Sequence, residues 1–272
     1  MNQKKTKKSN LKIWGEHELS QQKTLSWSIG DLMLWCKYKN QEIQIAYIHR
    51  SPNEYNKLGL DEPPKDIIWS RWALKKDHPA IRLSPLFPDR PVVIIPESIF
   101  KLNREAQAKI YARVPIWVKI ETAERESITL FEIPSVLLSN TWFGTFIEGE
   151  LCYSITSSAR REAEPDLYRP HLAICPLQLI NKSEDDLPVE KICLRVSNLS
   201  VFFDDIQLWS NETKITYTGK EASSQIEFSH KKPSEAPSSS LISAPRHTVR
   251  KSIVAQTFAS LKDLPGIGIL IN

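Results

Sequence analysis

Lys109-Ile110-Tyr111-Ala112-Arg113-Val114-Pro115-Ile116-Trp117-Val118-Lys119-Ile120-Glu121 alternates two kinds of side chain along its whole length. Ile110, Ala112, Val114, Ile116, Val118 and Ile120 share one parity, while Lys109, Tyr111, Arg113, Trp117, Lys119 and Glu121 share the other. Successive side chains of a strand point to opposite faces, so the pattern is that of a half-buried strand with an apolar inner face. Pro115 brings no N–H to a ladder and marks an edge or a bulge.

Working outward, the segments 32–38 and 42–48 flank Lys39-Asn40-Gln41 and read as a hairpin whose second arm buries Ile43, Ile45 and Tyr47. Further strands are expected at 67–74, 92–95, 128–133, 151–156, 172–180, 191–196 and 213–218, mostly separated by Pro, Asn, Asp or Ser. Eighteen prolines against eight glycines suit rigid connections between strands more than the glycine turns of a nucleotide-binding α/β domain. The fold class is therefore all-β, with one or two β-sandwich-like units and a short C-terminal α-helix.

Residues 1–24 read as a basic flexible tail, 25–88 as an N-terminal β unit and 89–230 as the main β-sandwich-like unit. Residues 231–247 form a Ser/Pro-rich linker, expected to be disordered or loosely laid over the surface. Residues 248–264 form an amphipathic helix, with Ile253, Val254, Phe258 and Leu261 on one side and Pro265-Gly266 as its stop. Such a short helix needs a surface to pack on, either its own β body or a partner's groove.

No run approaches the roughly 18 apolar residues of a membrane helix. The basic start lacks the apolar core of a secretory signal. Cys36, Cys152, Cys175 and Cys193 form no CxxC pair. They read as reduced thiols of a cytoplasmic protein. Phosphate loops and nucleophile elbows are missing as sequence patterns, and no specific nucleic-acid binding and no cofactor are expected. Acidic pairs such as Asp185/Asp186 and Asp204/Asp205 read as solvated turns.

His171 and Cys175 have a tempting H-x3-C spacing. Four residues of strand span roughly 13 Å, too far for two ligands of one zinc, so no metal site is assigned. Cys193 shares its face with Lys191 and Arg195, two cations that would favour its thiolate.

The binding candidates fall in two places. Tyr111, Arg113 and Trp117 would make a cationic-aromatic face if exposed. Asn140, Trp142, Glu150, Arg160, Arg161 and His171 gather around a loop rich in aromatics and charge. Loops on a rigid β scaffold often carry binding groups.

An ordered series of segments then becomes telling. It runs Trp69-Ser70-Arg71-Trp72, Pro88-Asp89-Arg90-Pro91-Val92-Val93, Val114-Pro115-Ile116-Trp117-Val118 and Leu138-Ser139-Asn140-Thr141-Trp142-Phe143-Gly144. Gly149-Glu150-Leu151-Cys152-Tyr153, Ala159-Arg160-Arg161, Pro170-His171, Cys175-Pro176 and Cys193-Leu194-Arg195-Val196 complete it. The series resembles the prokaryotic family called domain of unknown function 432, over roughly residues 25–230. The resemblance implies no activity, substrate or catalytic residue. It does imply proximity to mechanosensitive-channel-type proteins, and so a protein partner that is a membrane channel or its neighbour. The expected function is a non-catalytic binding or accessory module for a protein partner or an anionic ligand. The alternative is a small thiol-dependent enzyme or redox sensor using Cys152, His171 or Cys193.

Overall fold

The alternating segment 109–121 is a strand that changes sheets at Pro115. A computed structural model describes residues 13–51, 62–73, 79–155, 159–162, 169–219, 223–249 and 252–259. In it, β9 (Gln107–Pro115) lies antiparallel to β14 (Leu172–Asn181), pairing from Gln107↔Ile180 to Pro115↔Leu172. Ile116 stands at the corner, donating its N–H to His171 O at 2.9 Å and accepting the Ser135 N–H at 3.1 Å. The chain then enters another sheet as β10 (Trp117–Thr122). Pro115 thus ends a ladder, where its missing N–H costs nothing. The inner parity survives the corner, for all six of its apolar side chains are buried. Burying such aliphatic side chains contributes about 1.5–3 kcal/mol each.

Five sheets build the molecule among the described residues. The first runs β1 (Gly15–Glu18), β6 (Ala80–Leu86), β10 and β11 (Thr129–Pro134). A second, β2 (Leu25–Ile29), β3 (Leu32–Lys39), β4 (Glu42–His49) and β5 (Ser70–Ala73), is antiparallel throughout. The third is β12 (Ser139–Phe143), β13 (Glu150–Ser154), β7 (Val92–Ile94), β16 (Lys191–Leu194) and β23 (Phe258–Ala259). The largest follows the order β21 (Ser240–Ser243), β17 (Val201–Phe203), β18 (Leu208–Ser210), β14, β19 (Thr213–Tyr217), β20 (Ser223–Phe228) and β22 (Ser252–Gln256), with β9 against the other side of β14. β8 (Phe100–Leu102) and β15 (Leu187–Val189) make a two-stranded piece. One cluster of buried apolar residues reaches from Trp14 to Phe258, drawing on both sides of the expected boundary near residue 88.

The expected hairpin is present, with Asn40 and Gln41 both at positive φ in a two-residue turn of the handedness that fits strand twist. Tyr47, expected inside, is exposed and stacks edge-on against Phe131 and His49. Gln44 and Ala46 are buried instead, because both faces of β4 are covered near its middle.

The C-terminal helix is corrected. The part of 248–264 that is described contains strands: β22 extends β20 and β23 extends β16, while the remainder lies outside the described residues. Ile253, Val254, Thr257 and Phe258 are β-branched or aromatic, and two sheet edges offer unpaired backbone groups. Ladder bonds to those edges outweigh a helical period that a short isolated segment could not exploit.

The stretch 231–247 also differs from a loose linker. It contributes β21 to the largest sheet and buries Ala236 and Ser239. No helix among the described residues is long and apolar enough to cross a membrane. The basic tail before residue 13 lies outside the described residues.

Candidate functional site

The two groups of candidate residues meet different fates, beginning with the outer face of β9 and β10. Tyr111 donates its hydroxyl to Glu235 at 2.8 Å, and Lys109 bridges Glu235 and Glu212 at 2.6 Å each. Burial disfavours the Lys109 charge, but its hydrogen bonds to the two carboxylates outweigh this and lift it to about 12. Burial would raise Glu235, yet the bonds from Lys109 and Tyr111 leave it below the usual carboxylate range. Trp117 lies past the corner, under the guanidinium of Arg246 at 5.3 Å from its ring centroid. Arg246 also donates to Phe87 O and to Glu132, both at 2.7 Å. Arg113 projects from β9 opposite Ile174 and is only partly exposed. Glu235 and Arg246 both come from the stretch that looked like a linker. That stretch is a strap over the face. The groove beside it, about 670 Å³ and lined by Lys119, Glu121, Glu132 and Arg246, has these charges joined as Lys119–Glu121 and Arg246–Glu132 pairs.

Asn140, Trp142 and Glu150 of the second group sit on the β12–β13 hairpin, which is paired from Ser139↔Ser154 to Phe143↔Glu150 at the edge of the third sheet. One of its faces carries Asn140, Trp142, Leu151 and Tyr153. Arg90 donates to Asn140 at 3.2 Å and lies 5.5 Å from the Tyr153 ring centroid. Tyr153 donates its hydroxyl to Asp89 at 3.0 Å.

The tip, Gly144 to Gly149, is built to hold one shape. Trp142 Nε1 donates to Thr145 O at 2.8 Å, and the Glu148 N–H donates to Thr145 Oγ1 at 3.0 Å. Gly144 has φ +107°, and a Cβ on Gly149 would fall 2.1 Å from Trp142 Nε1. Inside this frame Phe146 is 84% exposed and Ile147 94%. Neither had been singled out in the sequence. Their signal was two adjacent large apolar residues at the centre of a Gly-bounded turn.

The opposite face of the hairpin turns inward. Cys152 and Cys193 are buried with their sulfurs 3.8 Å apart, packed with Val93 and Phe143. Cys193 lies 3.8 Å from Glu150 Oε1, and Glu150 forms an ion pair with Arg195. Arg195 also donates to Gln256 O at 3.0 Å. The expected lowering of the Cys193 pKa is overturned. Its hydrogen bond with Cys152, followed by burial, pushes it well up, and the opposing charge of Arg195 does not compensate.

The remaining candidates lie elsewhere. Arg160 pairs with Glu97 at 3.4 Å and its backbone exchanges hydrogen bonds with Tyr111. Arg161 lies 5.4 Å from the Phe100 ring centroid. His171 packs against Gly30, and burial, aided by Arg169 and opposed by Asp31, depresses its pKa. Cys175 is fully buried in β14, its thiol pushed up to about 12 by burial. Glu150, Arg160 and His171 therefore do not converge on one pocket. What does converge is Glu150, Cys152 and Cys193, whose ligand atoms all lie within 4.8 Å of one another.

A family described as protein of unknown function (DUF432) matches residues 13–262. No curated protein and no solved structure matches the chain.

Proposed function

We propose that this chain, a member of the domain of unknown function 432 family, is a non-catalytic accessory module that docks a protein partner through the tip of the β12–β13 hairpin. The observation that carries this is the pair Phe146 and Ile147, the two most exposed large apolar side chains of that hairpin, held out by a braced turn. Exposed apolar side chains on a preorganised turn lose little conformational entropy on binding, which favours their use as anchors.

Charge narrows the occupant. Glu132 and Glu150 are paired with Arg246 and Arg195, so the charge at the turn itself, Thr145 to Glu148, is the Glu148 carboxylate, and these four residues include no Lys or Arg. A turn with one carboxylate and no cation of its own disfavours a bare anionic ligand and an anionic bilayer, both of which want cationic neighbours. It fits a protein surface with an apolar pocket and a cationic rim. The family resemblance adds the expectation that this partner is a membrane channel or its neighbour in the cytoplasm.

The test places a photo-crosslinking side chain at Leu151, exposed on the hairpin beside the tip and outside the bonds that brace the turn, in the full chain within cells of its own source. One discrete protein adduct, lost when Phe146→Ser and Ile147→Ser are combined, is the expected result. Crosslinking to a second copy of the chain, retention of the adduct in the double variant, or hairpin-dependent binding to anionic vesicles would each overturn it.

A further inference from the structure

The inner face of the same hairpin holds a second feature that partner docking does not use. Glu150 and Cys152, two apart on β13, share a face, and Cys193 approaches them from β16. In a tetrahedral zinc site with bonds of about 2.3 Å to sulfur, two sulfurs stand roughly 3.8 Å apart. The two thiols here are separated by 3.8 Å, and Cys193 Sγ lies the same distance from Glu150 Oε1. For comparison, a disulfide requires sulfurs about 2.05 Å apart. The separation suits two ligands sharing one ion, and it is also that of the hydrogen bond the two thiols make with each other.

The geometry points to a thiophilic divalent cation of zinc's class, bound by Glu150, Cys152 and Cys193 with its fourth position left to an exchangeable ligand. Two thiolates and one carboxylate bring three negative charges. The cation and Arg195 together bring three positive ones, so the filled site is neutral in a buried setting. Arg195 has a side chain 10% exposed and grips the same carboxylate, fixing the direction in which its oxygens face the thiols. Glu150, more exposed than the thiols, gives the way in. On binding, each thiol releases its proton to solvent as its bond to the metal forms. Soft sulfur ligands select zinc-like ions over magnesium or calcium. The ion would tie β13, just below the tip of the hairpin, to β16, two strands separated by β7 in the sheet. This inference stands whether or not the tip docks a partner.

The experiment uses the full chain purified under reducing conditions and titrated with Co²⁺, then with Zn²⁺ against a chromogenic chelator. The expected result is one ion per chain, with a thiolate-to-cobalt charge-transfer band that Zn²⁺ displaces. Cys152→Ser and Cys193→Ser each weaken or abolish that band, because one thiolate ligand is gone. Glu150→Gln, at a partly exposed position that leaves the buried packing alone, keeps the band but shifts the cobalt ligand-field spectrum. Failure of the folded wild-type chain to take up either ion overturns the site. So does a band that persists unchanged in Cys152→Ser, or a ligand-field spectrum unmoved by Glu150→Gln.

Discussion

The outer face of β9–β10 and the tip of the β12–β13 hairpin both carry aromatic side chains beside charge, yet they end in opposite states. On the first, Tyr111 and Trp117 are met by Glu235 and Arg246 from the strap. On the second, Phe146 and Ile147 are left in water while Trp142, next along the strand, braces the turn. The difference teaches that polar and aromatic groups able to find partners within the chain do so. A site for something else shows as apolar surface that the chain has stiffened and left uncovered.

The largest test of this contrast is Arg246→Ala. It removes hydrogen bonds to Phe87 O and Glu132 and a cation over Trp117. Hydrogen bonds to a charged group are worth about 1.5–3 kcal/mol, and chemical denaturation should show a loss in that range. Trp117 fluorescence should shift red as the strap lifts. A change under about 0.5 kcal/mol would mean that the strap does not hold the face.

Gly149→Ala comes next, because its Cβ would meet Trp142 Nε1 at 2.1 Å and Thr145 O at 2.5 Å. Forcing a side chain into packed space costs about 1–3 kcal/mol, with distortion confined to the hairpin. Docking at the tip should fall with it, although Phe146 and Ile147 are untouched. Partner capture at the wild-type level would show that the turn's shape is irrelevant.

A smaller effect, about 1 kcal/mol near neutral pH, is expected for Glu235→Gln, since its carboxylate is partly exposed and solvent screens the pair with Lys109. The sign follows from the shifts. Glu235 is lowered on folding, so its contribution is present above the ordinary value of 4.5 and lost as pH falls through the folded value. Lys109 is raised from 10.5 to about 12, so its contribution is present below 10.5 and lost as pH rises through about 12. The wild-type advantage over the variant should therefore shrink at both ends of the pH range. An advantage constant from acid to alkaline pH would contradict the paired arrangement.

The combined Phe146→Ser and Ile147→Ser variant closes the series. Both side chains are already in water, so stability should stay within about 0.5 kcal/mol of wild type while docking is lost. A large destabilisation would show that the tip packs on its own body.

Much of the fold was legible because alternation is a local signal. The inner parity of 109–121 named six core residues correctly, and all seven further strands expected along the chain are present. The candidate site was less legible. The expected strand 151–156 held Cys152 but left Glu150 in the loop before it, and the arrival of Cys193 depends on β7 separating β13 from β16. The cations beside Cys193 pointed to a lowered thiol pKa, and the buried neighbour Cys152 reversed the direction.

The sequence by itself determined that the segments it marked as strands are extended, which parity of 109–121 faces inward, and that the chain builds sheets. Those properties follow from covalent geometry and the avoidance of water by apolar side chains, read over a few residues. Only the tertiary structure decided that the strand at Pro115 turns between sheets. It also decided that 231–247 straps a face instead of linking domains, and that 252–259 joins two sheet edges instead of coiling. Each of these turns on an unpaired backbone edge or an uncompensated charge far away in sequence, and such partners exist only once the chain has folded.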